Sequence, residues 1–143
     1  MSTMDAYITL WDENILIRRS ALLCINGSQY PLYEVSASDD TQVLVLICSL
    51  QILADIDEAL PFIHHKLIEY GLYPTTVGIG NHLFLDSISP LDEEIKQIFD
   101  GQSVGIIALV NGHEPGQGTQ ALDGMKLCAG DILELWYRIG AKV

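Results

Sequence analysis

Thr75-Thr76-Val77-Gly78-Ile79-Gly80-Asn81-His82-Leu83-Phe84-Leu85, followed by Ser89-Pro90-Leu91-Asp92-Glu93-Glu94-Ile95, is the stretch whose reading decides the fold. Two apolar runs, Thr75 to Ile79 and His82 to Leu85, flank Gly80-Asn81, a pair suited to a two-residue hairpin turn. A helix start follows. Ser89 can cap free N–H groups, Pro90 suits the first helical position, and Asp92, Glu93 and Glu94 complement the positive end of the helix dipole. Leu91, Ile95, Ile98 and Phe99 recur at helical spacing, and Gly101 is placed to close the helix.

Working outward, Val104 to Val110 reads as a strand running into Asn111-Gly112. A glycine-rich loop, His113 to Gly118, leads on towards Leu127 to Ile139, where Gly130-Asp131 opens a strand of alternating pattern. A hairpin needs a partner to bury its apolar side, and the amphipathic helix supplies one. Hairpin, helix, strand, irregular crossover and strand, in that order, predict an α+β chain with a ubiquitin-like β-grasp over residues 73–143. Residues 1–72 predict a strand-rich region with one helix. Tyr7 to Trp11 and Ile15 to Ile17 are short apolar runs around the polar turn Asp12-Glu13-Asn14. Ala21 to Ile25 meets Asn26-Gly27, a type I′ hairpin signal, with Tyr30 to Val35 as the return strand and Pro31 suggesting an edge position. Val43 to Cys48 reads as a buried strand. Pro61 to Tyr70 reads as a helix, with Gly71 as the residue that ends it. Ala21 to Gly27 and Ile106 to Gly112 both run an apolar strand into Asn-Gly. The first half is therefore either a second β-grasp or an elaboration on the same sheet.

Composition narrows the function classes. Nineteen acidic residues against seven basic ones give 143 residues a formal charge of −12. Phosphate backbones and anionic lipid surfaces repel such a chain, so neither nucleic acid nor membrane is an expected partner. The longest apolar stretch, Val43 to Leu53, is too short to span a bilayer. Met1 to Tyr7 carries no secretory pattern. Cys24, Cys48 and Cys128 are odd in number, widely spaced and set among apolar residues, which reads as reduced core thiols of a cytoplasmic protein.

The run Ile107-Ala108-Leu109-Val110-Asn111-Gly112, then Leu127-Cys128-Ala129-Gly130-Asp131-Ile132-Leu133-Glu134-Leu135, resembles the closing half of small sulfur-carrier proteins and prokaryotic ubiquitin-like modifiers. The resemblance covers roughly the second half of the chain. It implies a C-terminal glycine activated by an adenylating enzyme, and the matching residue is Gly140. Here a single glycine stands where those families carry a pair, and Ala141-Lys142-Val143 follows it. Either a protease trims these three residues to expose Gly140 for transfer to a target protein, or the tail is never activated.

The remaining chemistry-bearing residues carry no such pattern. His64 and His65 are adjacent on the expected helix and point apart, and His82 and His113 are isolated, so no metal site is expected. Gly112 to Gly118 lacks the Lys-Ser/Thr pair of a phosphate loop. Asp92, Glu93 and Glu94 already have a role at a helix start. Cys48 and Cys128 have no histidine partner in sequence context. Neither enzyme activity nor a cofactor is expected. Three readings follow: a modifier or sulfur carrier acting through Gly140; a binding or self-assembly module, including a homo-oligomer, that uses sheet surfaces or edge strands; and an acidic inhibitor or immunity-type protein.

Overall fold

A computed structural model of the chain describes residues 15–37, 40–112 and 122–140. It is an α+β structure, and among the described residues seven strands and two helices follow one another as β1 (Ile15–Ile25), β2 (Ser28–Ala37), β3 (Asp40–Gln51), α1 (Ala59–Glu69), β4 (Tyr73–Ile79), β5 (His82–Ser89), α2 (Leu91–Ile98), β6 (Val104–Val110) and β7 (Ile132–Ile139). Five strands form one sheet in the order β1-β2-β3-β7-β6, every neighbouring pair antiparallel, while β4 and β5 form a separate two-stranded ribbon.

Local chemistry accounts for most of the elements. Asn26 and Gly27, at φ +53° and +83°, supply the two positive values that a type I′ turn demands between β1 and β2. At the end of α1 the Gly71 N–H bonds the Ile68 carbonyl and the Leu72 N–H bonds the Leu67 carbonyl. With Gly71 at φ +77° this is a Schellman closure, and its accompanying apolar contact is made by the buried pair Leu67 and Leu72. Gly80, at φ +63°, opens the β4–β5 turn in the II′ manner.

Several expectations are corrected. Pro31 lies in an interior strand, yet the ladder to β3 begins only at Leu32, so the missing N–H removes no bond from that ladder. Ser89 is the last residue of β5 rather than a helix cap, and Pro90 takes the capping position of α2. Gly101 falls in the turn beyond α2, whose C-cap is Phe99. Only Cys48 is substantially covered; Cys24 and Cys128 are exposed. Tyr7 to Trp11, His113 to Gly118 and Ala141 to Val143 lie outside the described residues.

The pairing also differs from that of a β-grasp, in which the hairpin and the last strand share one sheet around the helix. Here β7 runs between β3 and β6, and the hairpin stands apart. The physical reason lies in β7 itself. Leu133, Leu135, Tyr137 and Ile139 are buried on one face, and Glu134 and Trp136 on the other. A strand covered on both faces belongs inside a sheet, and β3 offers an equally apolar partner from Val43 to Leu50. A bulge between Leu46 and Cys48 sets Ile47 and Cys48 against the main core together. That core lies where α1 (Ala59, Ile63, Leu67), α2 (Leu91, Ile95) and Ile88 of β5 cover one face of the sheet. On the opposite face Leu44, Ile107, Leu109 and Trp136 form a second cluster, and Tyr33 meets Trp136 edge-on at 5.8 Å.

The segments flanking α1 and β7 are also joined. Ile52 N–H bonds the Asp131 carbonyl at 2.8 Å, Gly130 N–H bonds the Ile52 carbonyl at 2.7 Å, and Ile56 and Leu127 form a bridge. The two halves expected on either side of residue 72 therefore share one sheet and one core. Residues 73–143 expressed alone are expected to lack a cooperative unfolding transition and dispersed amide resonances, because β7 then has no β3; the full chain should melt in a single step.

Candidate functional site

The residues that carry the family resemblance are brought together by β6 and β7. Asn111 directly follows β6 at φ +53°, a value that asparagine tolerates better than most side chains. Its Nδ2–H donates to Asp131 Oδ1 at 2.9 Å, and its Oδ1 accepts the Ile132 N–H at 2.9 Å. Asp131 Oδ2 accepts the Cys128 N–H at 2.8 Å. The two motif fragments, twenty residues apart, thus form one clasp across the mouth of the β6–β7 crossover. These three hydrogen bonds are internal to the chain, which gives the clasp a structural role. Gly140, the expected terminus for activation, directly follows β7, and its N–H bonds the Ser103 carbonyl at 3.1 Å. An added Cβ there would meet Ser103 Oγ at 3.4 Å, so the site is close but open.

The histidines do not converge. His64 and His65 are both exposed on α1, where His65 faces Glu69 at 3.4 Å, and His82 faces Asp123 at 3.4 Å. Among the described residues no group of three His, Cys, Asp or Glu could hold a metal ion. Burial pushes the Cys48 thiol up to about 12, which leaves it un-ionised and unreactive near neutrality. Of the acidic run on α2, Glu93 and Glu94 are exposed and Asp92 is buried. Asp92 takes Lys96 Nζ at 2.9 Å. The Tyr137 hydroxyl lies 3.5 Å from the Ile88 carbonyl, and burial, then the Asp92 charge, raise its pKa. These groups tie β7 to α2 and β5.

Two surface features remain. The first is a groove of about 210 Å³ beside Ile25, Tyr30 and Leu91, adjoining a second of about 170 Å³ beside Ile47; Ser28, Tyr30, Tyr70 and Leu72 line both. Each is smaller than the roughly 300–1,000 Å³ of a typical small-molecule site, so each suits a side chain rather than a cofactor. No sequence signal connects Tyr30 with Tyr70, forty residues on.

The second feature is the β4–β5 ribbon. Tyr73, Val77 and Ile79 lie on one face of β4 and are 58%, 38% and 61% exposed, and Leu83 at the ribbon tip is 40% exposed. The ribbon has one closed edge. Leu83 N–H donates to Asp123 Oδ1 at 2.8 Å, and the Leu83 carbonyl accepts the Leu122 N–H at 3.0 Å. The Leu83 N–H, then His82, hold the Asp123 carboxyl below its ordinary value. Because both backbone groups of Leu83 turn away from β4, its cross-strand partner Gly78 must likewise turn its N–H and C=O away from β5. Thr76, two residues back, does the same. Pro74 follows the same alternation and offers no N–H to that side. Among the described residues no strand pairs with this outer edge of β4. The alternation that produces it is visible in the sequence, but alone it reads as a core-facing strand.

No helix among the described residues is long and apolar enough to cross a membrane. The Cys128 N–H, then the Asn111 amide, hold the Asp131 carboxyl below its ordinary 3.8. A lowered folded pKa contributes stability that is complete above the unfolded value and is lost as pH falls through the folded one. Asp131→Asn should therefore flatten the dependence of the melting midpoint on pH below 3.8. Asn111→Ala, which removes two hydrogen bonds, should cost about 1–3 kcal/mol in urea unfolding. No family model, no curated protein and no solved structure matches this chain.

Proposed function

We propose that the protein is a non-catalytic binding module that takes a partner's extended strand on the outer edge of β4. The observation that carries this reading is the outward direction of the Thr76 and Gly78 backbone groups beside the exposed Tyr73, Val77 and Ile79. Backbone hydrogen bonds along such an edge give affinity, and the alternate side chains give selectivity. An uncovered edge is ordinarily blunted by charge or proline. On β4 that protection is confined to Pro74, and Thr76 to Gly78 is left receptive.

Conjugation through Gly140 is the second reading. The closing motif favours it, while the bond from Gly140 to Ser103 and the interior position of β7 give the terminus less freedom than activation requires. The acidic-inhibitor reading draws on charge alone. Among the described residues the exposed carboxylates Asp55, Asp57, Glu58, Glu69, Asp86, Glu93, Glu94 and Asp100 are spread over the ribbon and the segments around both helices rather than along one track.

Amide hydrogen exchange in dilute solution tests the docking reading. Thr76 and Gly78 should exchange fast, and Val77 and Ile79, bonded inward to β5, should be protected. Slow exchange at Thr76 and Gly78 in the dilute monomer would mean that the edge is already covered. The modifier reading is tested separately: the chain ending at Gly140 should form an adenylate with an activating enzyme and ATP, and the full-length chain should not.

A further inference from the structure

We propose that the strand received by β4 is the β4 strand of a second copy of this chain, which makes the protein a two-fold dimer built on a continuous four-stranded sheet, β5-β4-β4-β5. The inference rests on the docking reading above and adds the identity of the occupant.

Charge selects the partner. Residues 73–89 contain a single carboxylate, Asp86, one histidine and neither Lys nor Arg, in a chain whose formal charge is −12. Two such chains repel one another over most of their surface. The ribbon is a neutral, apolar stretch through which they can approach. A basic partner would find more to hold almost anywhere else on the molecule, since the ribbon offers it one carboxylate.

The register is self-complementary. A two-fold axis through Val77 sets Thr76 of one copy opposite Gly78 of the other, and these are the residues whose N–H and C=O turn outward. Each of the two pairs can then exchange two hydrogen bonds. The Val77 side chains meet across the axis in a close, non-hydrogen-bonded pair, with Cα atoms about 4.5 Å apart. Ile79 falls opposite the partner's Thr75, and Tyr73 reaches the partner's Ile79 on the diagonal. Pro74 falls opposite Gly80, already in the turn, so the ladder ends where Pro74 has no N–H to give. A self-complementary patch of this kind closes on itself as a dimer and does not propagate as a fibre.

Sedimentation equilibrium of the full chain, from micromolar to submillimolar concentration, tests the proposal. A monomer–dimer equilibrium is expected that tightens as salt screens the mutual repulsion, whereas docking to a basic partner would weaken. Thr76→Pro removes only an outward N–H and leaves the β4–β5 ladder intact. It should weaken dimerisation at least about tenfold while the circular dichroism spectrum stays unchanged. Val77→Asp, which sets two carboxylates face to face on the axis, should abolish the dimer, and should do so without altering the spectrum even if the proline variant fails to fold. Amide exchange at Thr76 and Gly78 should slow as the dimer forms. A dimer indifferent to both variants would overturn the proposal, because it would be held elsewhere. A monomer at every concentration would also overturn it; fast exchange at Thr76 and Gly78 in that monomer would leave strand docking standing with a different protein as occupant, and slow exchange would remove both readings.

Discussion

The structure depends on the insertion of β7 between β3 and β6. β7 is covered on both faces, by Leu133, Leu135, Tyr137 and Ile139 towards the helices and by Glu134 and Trp136 on the other side. Such a strand is stable only where neighbours satisfy its backbone on both edges and side chains shield both faces. With β7 in place, the meander β1-β2-β3 acquires a second flank, the segments around residues 52–59 and 125–131 zip together, and the two helices gain a floor to pack on. Without it the chain would divide into a meander and a loose hairpin, each with too little buried surface to hold its shape.

The same insertion explains why the ribbon is separate. In a β-grasp one strand of the hairpin lies beside the last strand. Here β3 and β6 occupy both edges of β7, and the hairpin remains as a two-stranded sheet. Its base is anchored by Ile88 and partly by Leu85 in the main core, and its β5 edge is held by Leu122 and Asp123. Among the described residues no strand pairs with the outer edge of β4, and that edge owes its character to pairing decided elsewhere in the molecule.

Much of the local structure was legible from residue chemistry. Asn26-Gly27 and Gly80-Asn81 are turns for the stereochemical reason that made them readable, the need for positive φ, and Gly71 ends α1 as the helix pattern requires. Ser89 is ambiguous by one position, since a serine before Pro-Leu-Asp fits both a cap and the end of a strand. Long-range pairing was not legible. The order of Thr75 to Ile139 is compatible with a β-grasp and with the observed sheet, and the difference is decided by the apolar length of β3, half the chain away. The motif Asn111-Gly112 with Gly130-Asp131 reads in the sequence only as a resemblance; its local cause, a side-chain clasp between the two segments, becomes visible only with them side by side. The groove between Tyr30 and Tyr70 had no sequence signal, because residues from two distant elements make it.

The clipping of the ribbon along one edge also separates two kinds of selective pressure. Residues under the sheet, such as Leu135 and Ile95, are constrained by packing, and drift there is punished through folding. Tyr73, Val77 and Ile79 stand outside that constraint and can be exchanged with little effect on the core. If the ribbon docks a strand as proposed above, its selectivity can diversify, in natural variants or in engineered ones, while the rest of the sequence stays fixed.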